Sequence, residues 1–199
     1  GYQGIIPVVS FNGTDEEFDT PDAAALSFDD SGANPVSFIF WVNADASASD
    51  RYLVSKDVVA NNREYFVSIV NDETVRFTAI DDSADAVVSR ITDDAITTGA
   101  WHQLAITYNS AGGAAAMNGV TIYVDGAPVA STATNNGSYV AMEDLTSVVT
   151  FNARSAAPVD KHYPGKCAGG PLGYAIVGAE LTADVILRDY QLGRRALNL

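Results

Sequence analysis

Asp15, Glu17 and Asp19 alternate near the start of the chain. On a strand, alternate residues project from one face, so this segment would present three carboxylates together with Phe18 opposite. Cleavage of a glycosidic bond needs two carboxyl groups flanking it, one protonated and one ionised. The order here is Asp-x-Glu-x-Asp, with no neighbouring tryptophan to hold a sugar. Calcium is the better functional reading of the acidic loops, because it takes several oxygens from carboxylates, amides and backbone carbonyls. Asn12, Asp15 and Glu16 form the leading set; Asp81, Asp82 and Asp85 form a second, and Asp93 with Asp94 a third. None matches a metal-binding motif, and a chain this acidic places aspartates in turns in any case.

Aromatic residues carry the other candidate chemistry. Trp41 and Trp101 have faces that suit a pyranose, but both lie in apolar strands and are assigned to the core. Tyr139 and Tyr163 fall in loops, and Arg154, Lys161 and His162 lie close to Tyr163 in sequence. Residues 154–166 (RSAAPVDKHYPGK) are the longest irregular, mixed-charge stretch. Binding residues concentrate on such loops, so Tyr139, Arg154, Lys161, His162 and Tyr163 are the ligand-binding candidates; a plain surface loop has the same composition. His102 and His162 lack the serine, cysteine and acid neighbours of a nucleophilic triad, and His102 reads as a strand residue with an ordinary hydrogen bond. Cys167 is the sole cysteine, which excludes an intramolecular disulfide and a multi-cysteine zinc site. No activating partner marks it as a nucleophile. Gly169-Gly170 reads as a turn, since no helix follows to make a phosphate cradle.

Strand signals position these residues along most of the chain. Segments 5–11, 36–43, 51–55, 65–70, 75–80, 87–91, 101–108, 120–124, 128–131, 148–151 and 172–177 read as strands. Segment 36–43 (VSFIFWVN) is apolar on both faces and therefore central. In 101–108, Leu104, Ile106 and Tyr108 share one face, and Trp101, Gln103, Ala105 and Thr107 the other. Asp125-Gly126 is a tight-hairpin signal. One short helix is expected near the C-terminus, capped by Thr182, with Asp184 in its first turn, an apolar side of Val185, Ile186 and Tyr190, and a stop at Gly193 followed by Arg194 and Arg195. Residues 111–118 (AGGAAAMN) read as a flexible surface insertion. Strands spaced about ten residues apart without crossover helices predict an all-β, antiparallel two-sheet sandwich or barrel. No composition shift marks a boundary, so residues 1–199 are read as one domain.

The 199-residue chain carries 25 acidic and 11 basic residues, a net charge of −14. Such a field repels phosphate backbones and anionic membranes, so neither nucleic acid nor membrane is an expected partner. No run reaches the length of a membrane span. The chain opens on Gly1-Tyr2 rather than methionine, which reads as a processed terminus.

The order of several segments resembles the laminin-G-like jelly roll of the concanavalin A-like lectin and glucanase superfamily. Phe11-Asn12-Gly13-Thr14-Asp15-Glu16-Glu17-Phe18 is similar to that family's opening stretch, Phe40-Trp41-Val42 to its "AWV" strand, and Val54-Ser55-Lys56 to its "IVSK". Residues 98–108 (TGAWHQLAITY) followed by Ile122-Tyr123-Val124-Asp125-Gly126 are close to "TGxWHHVAVTYDG…lYVNG", and Ala179-Glu180-Leu181-Thr182-Ala183-Asp184-Val185-Ile186 resembles the family's closing "R-x-L-[ST]-x-x-E-I" segment. Residues 170–177 (GPLGYAIV) depart from the pattern by lacking its acidic residues. The resemblance implies a concanavalin A-like jelly-roll sandwich. It also implies a non-catalytic, lectin-like module, extracellular or on a cell or virion surface, that binds a glycan or a glycosylated surface, with calcium as the candidate cofactor. Two alternatives stand beside it: a structural or adhesion module of a phage virion or bacterial surface protein that contacts a protein partner, and a glycoside hydrolase.

Overall fold

The structure is a computed structural model and describes residues 7–29, 33–58, 62–154, 161–168 and 173–199. The strands in chain order are β1 (Val8–Asn12), β2 (Phe18–Thr20), β3 (Val36–Ala44), β4 (Arg51–Asp57), β5 (Arg63–Ile69), β6 (Val75–Asp81), β7 (Ala86–Thr92) and β8 (Trp101–Tyr108). They continue with β9 (Val120–Val124), β10 (Ala127–Pro128), β11 (Ser131–Thr134), β12 (Val149–Phe151), β13 (Ala153–Arg154), β14 (Lys161–His162), β15 (Pro164–Ala168) and β16 (Tyr174–Val177). Helix α1 (Ala183–Leu197) follows. Among the described residues these strands make two seven-stranded antiparallel sheets and a two-stranded sheet of β13 and β14. The front sheet runs β1-β15-β3-β8-β9-β10, with β16 on the same side of β3 as β15; the back sheet runs β11-β7-β6-β5-β4-β12-β2. The expected all-β jelly-roll sandwich with one C-terminal helix is the fold observed.

Period-two alternation builds the core between the sheets. Phe38, Phe40 and Val42 of β3 and Leu104, Ile106 and Tyr108 of β8 face Tyr65, Val67, Ile69, Phe77 and Val88 from the back sheet. Phe38 sits at the centre, with ring centroids 5.4 Å from Tyr65 and 5.8 Å from Phe77. At one side of the sandwich a buried Lys56 ammonium meets the buried Glu64 carboxylate, donates to the Leu145 carbonyl at 2.5 Å and lies 3.0 Å from Asp22.

The double-sided hydrophobicity of β3 is explained by α1. The helix covers the outer face of the front sheet, where Ile186 packs with Ile39, Ala105 and Tyr123. Thr182 caps its N-terminus by accepting from the Val185 N–H, and Asp184 lies in the first turn, as expected. Gly193 does not stop the helix. It lies inside it, buried against Trp41, where a Cβ would fall 2.4–2.5 Å from indole atoms; the left-handed Asn198 ends the helix instead. Among the described residues no helix is long and apolar enough to cross a membrane.

Two further expectations change. Residues 111–118 are not a free insertion: a 3₁₀ turn over Ala116–Gly119 buries Ala116 and Met117 in the core, and the Met117 carbonyl accepts from Arg90. The segment read as one strand over 128–131 is split between sheets. Pro128, with no N–H to extend the ladder, ends β10 beside β9, and β11 crosses to pair with β7. The Asp125-Gly126 turn is as predicted, with φ of 53° and 79°.

That hairpin is held by His102. Its Nδ1 lies 2.9 Å from the Asp125 carboxylate, to which it donates, and Nε2 lies 2.8 Å from the Thr97 hydroxyl. The other Asp125 oxygen accepts the Gln103 N–H at 3.1 Å. The hydrogen bond to Asp125 raises the imidazole above its ordinary value, against burial, which lowers it. A raised histidine contributes stability that is complete below its unfolded value and lost as pH rises through the folded one.

Two outcomes follow. Replacing Gly193 by alanine gains about 1 kcal/mol of helix propensity but overpacks the Trp41 contact, which costs ~1–3 kcal/mol; denaturant unfolding should show net destabilisation, relieved when Trp41 is shortened to leucine. Nuclear magnetic resonance titration should place the His102 midpoint above about 6.5, falling in Asp125→Asn, with the pH-dependent loss of stability flattened in His102→Gln. A midpoint at or below the free value would mean that Asp125 does not hold the ring.

Candidate functional site

Where α1 ends against the front sheet, an open cleft of about 500 Å³ forms, lined among others by Trp41, Asn43, Gly99, Trp101, Tyr190 and Arg194. Ligand sites typically occupy ~300–1,000 Å³. Trp101 and Asn43 are directly opposed across β8 and β3, so their side chains stand together on the outer face. Trp41, two residues before Asn43 on the same face, forms the buried floor. Its indole N–H is buried and has no hydrogen-bond partner.

The helix supplies the other wall. Tyr190 stacks parallel on Trp41, with centroids 5.7 Å apart at 7°. Arg194, one turn on, holds its guanidinium 5.7 Å from the Tyr190 ring centre, a cation–π contact. Gln103 donates to Asp189 at 2.7 Å and fixes the helix to β8. The Gly99 loop closes the end: its N–H donates to the Ala44 carbonyl at 2.9 Å, and its own carbonyl accepts from Asn43 at 3.3 Å. Gly99 has φ of 74° with open space around it, so glycine is needed there for the backbone and not for clearance.

Trp101 was expected in the core and is instead half-buried, open to this cleft. The alternation along β8, which puts Trp101 opposite Leu104 and Ile106, is the sequence signal that separates it from the core. Tyr139 and Tyr163 make the reverse move. Their rings are 1% and 0% exposed, part of the central core, and offer no face to a ligand. The Tyr163 hydroxyl donates to the Lys166 carbonyl at 3.1 Å, and burial holds the phenol well above its usual range. Arg154 is a clip on the outer face of the back sheet: it pairs with buried Asp57 and lies 4.6 Å over Phe66 and 5.5 Å over Tyr52. Lys161 and His162 form β14, paired with β13, and their side chains lie outside the described residues, as do residues 155–160 of the same loop. The five candidates therefore do not form a single exposed surface.

The metal candidates are close together and occupied with each other. Asn12 Oδ1 accepts from the Thr14 N–H at 2.8 Å, Asn12 Nδ2 donates to Asp15 at 2.8 Å, and Glu16 accepts the Asn12 N–H at 2.7 Å. These oxygens close a turn, and a cation would have to displace those bonds. Among the described residues no group of three or more His, Cys, Asp or Glu is placed to hold a metal. Asp15, Glu17 and Asp19 do not share a strand face either, because β2 begins at Phe18 and Asp15 lies in the turn. Cys167 is buried, and burial pushes its thiol up to about 11, which keeps it protonated and unreactive.

No curated protein matches the sequence. Among solved structures the chain is similar to a native heptameric SAP-like pentraxin from Limulus polyphemus, with 12% identity, TM-score 0.58, and coverage of 90% of this chain and 79% of that one. It is similar to the CBM40 of the Ruminococcus gnavus IT-sialidase, bound to α2,3-sialyllactose, with 10% identity, TM-score 0.57, and coverage of 93% and 98%. It also resembles the binding domain of botulinum neurotoxin DC in complex with SialylT, with 13% identity, TM-score 0.55, and coverage of 91% of this chain but 41% of that one. At these identities the likeness is one of fold. The Laminin_G_3 family model, described as concanavalin A-like lectin/glucanases superfamily, matches residues 12–166. With that match over most of its length and a two-sheet jelly roll beneath it, the chain belongs to the Laminin_G_3 family of the concanavalin A-like lectin/glucanases superfamily.

Proposed function

We propose that the protein is a non-catalytic, lectin-like module that binds a glycan in the Trp101 cleft. The carrying observation is the half-buried indole of Trp101 next to an amide, a guanidinium and an aromatic floor. Indole faces match the C–H face of a pyranose, and neighbouring polar groups select among hydroxyls. Among the described residues no aspartate or glutamate side chain lines the cleft, so they do not supply the two carboxyl groups that glycoside hydrolysis requires. Support from kinship is coarser: solved neighbours include a carbohydrate-binding module with a bound sialylated sugar. The cleft draws Tyr190 and Arg194 from α1, beyond the matched residues 12–166, so this site is a reading of the present chain and not one carried over from the family.

A second reading, adhesion to a protein, is favoured by Val185, Leu187 and Leu192, apolar residues of α1 that are 42–50% exposed.

A glycan array run with calcium and again with a chelator tests the proposal. Binding should persist with the chelator, fall at least about tenfold in Trp101→Ala, and change tryptophan fluorescence in the unmodified protein. Folded protein that binds no glycan, or glycan binding that Trp101→Ala leaves intact, would refute it.

A further inference from the structure

We infer, resting on the sugar-binding reading above, that the cleft selects an anionic sugar, one bearing a carboxylate or a sulfate. The reasoning begins with how this acidic chain uses its few cations. Arg51, Arg63, Arg76 and Arg154 are each held in an ion pair with a carboxylate, and Lys56 with Glu64 and Asp22. Arg90 is held by the Ser131 hydroxyl and two carbonyls. Among the described side chains, Arg188, Arg194, Arg195 and Lys166 have neither ion pair nor hydrogen bond. Although the chain has 25 acidic residues to 11 basic ones, these four cations are left unneutralised, and two of the four stand at one place.

Arg194 lines the cleft from the helix. Lys166 approaches from the sheet: it pairs in register with Asn43, which pairs in register with Trp101. Lys166, Asn43 and Trp101 therefore form a row across β15, β3 and β8 on the outer face. Strands lie ~4.8 Å apart, which puts Lys166 about 10 Å from Trp101, within reach of a substituent on a sugar stacked there. Cys167 points into the core beside it, and Lys166 is exposed. A pyranose on Trp101 thus has a guanidinium on one flank and an ammonium on the other, with no acidic side chain among the described residues that line the floor and walls. Arg194 is pre-set by its contact with Tyr190, so its planar fork is free for two parallel hydrogen bonds to a carboxylate or sulfate. The overall negative field weakens long-range attraction to polyanions. It leaves a short-range cation pair, which favours a single charged sugar over a charged polymer.

The test compares matched oligosaccharides ending in a neutral hexose, a hexuronate, a sialic acid or a sulfated hexose, titrated calorimetrically into the intact protein. The unmodified protein should prefer the acidic termini by about tenfold or more, and the preference should shrink as salt rises. Arg194→Gln and Lys166→Gln change exposed side chains and should leave the unfolding midpoint in place while driving the acidic-to-neutral ratio toward one. Which acidic terminus binds best separates carboxylate from sulfate recognition. Equal affinity for neutral and acidic termini would overturn the inference and leave the sugar-binding reading standing. Acidic binding that neither variant reduces would overturn it as well. No binding of any terminus by folded protein would remove the underlying reading, and Arg194-dependent binding of polyglutamate with no binding of acidic sugars would replace a sugar with an acidic peptide.

Discussion

The closeness of α1 to β3 is the constraint on which the outer face depends. The Trp41 indole edge occupies the space that a side chain at position 193 would fill. That contact lets Tyr190 lie flat on Trp41 and brings Ile186 onto Ile39 and Ala105. Burying a side chain such as Ile186 contributes about 1.5–3 kcal/mol, whereas a cap such as Thr182 contributes about 1 kcal/mol. Apolar contact therefore seats the helix, and the polar link Gln103–Asp189 sets where along the sheet it rests.

The back of the sandwich is organised by charge. Lys56 and Glu64 are both fully buried, and desolvation pushes the Glu64 carboxyl up to about 7 while Lys56 pulls it down. Removing one partner from such a pair costs ~3–5 kcal/mol, although an apolar pair of the same shape is often as stable. What the pair adds is registry: Lys56 gathers β4, β5 and the segment at Leu145 around one ammonium. The arginines on the outer face of the same sheet act similarly, laid over Tyr52 and Phe66 and fastened by Asp50 and Asp57.

The longer strands were legible because alternation and turn chemistry are local, whereas β14 and most of β15 lie in the stretch read as an irregular loop, and β2 is too short to show a pattern. The Asp125-Gly126 hairpin and the Thr182 cap were legible because they too are local. Gly193 was misread because a helix-interior glycine and a helix-ending glycine look alike until the partner, here Trp41, is known. Tyr139 and Tyr163 were placed at the surface because polar residues surround them in sequence; their burial comes from neighbours such as Asn152, whose carbonyl accepts the Tyr163 N–H. The cleft was illegible for a different reason. Trp101 and Arg194 are distant in the chain, and what makes them neighbours is the path of α1 over the sheet, which no local pattern encodes.

Tyr190 and Arg194 belong to a single helix laid over one face of the sheet, and an element held on one side opens more readily than strands paired on both. One wall of the cleft is thus its least firmly held part, while the wall carrying Trp101 is woven into the central strands. Anything that leans on the free side of α1, whether a following segment of chain or a neighbouring molecule, tightens or loosens the cleft without touching it.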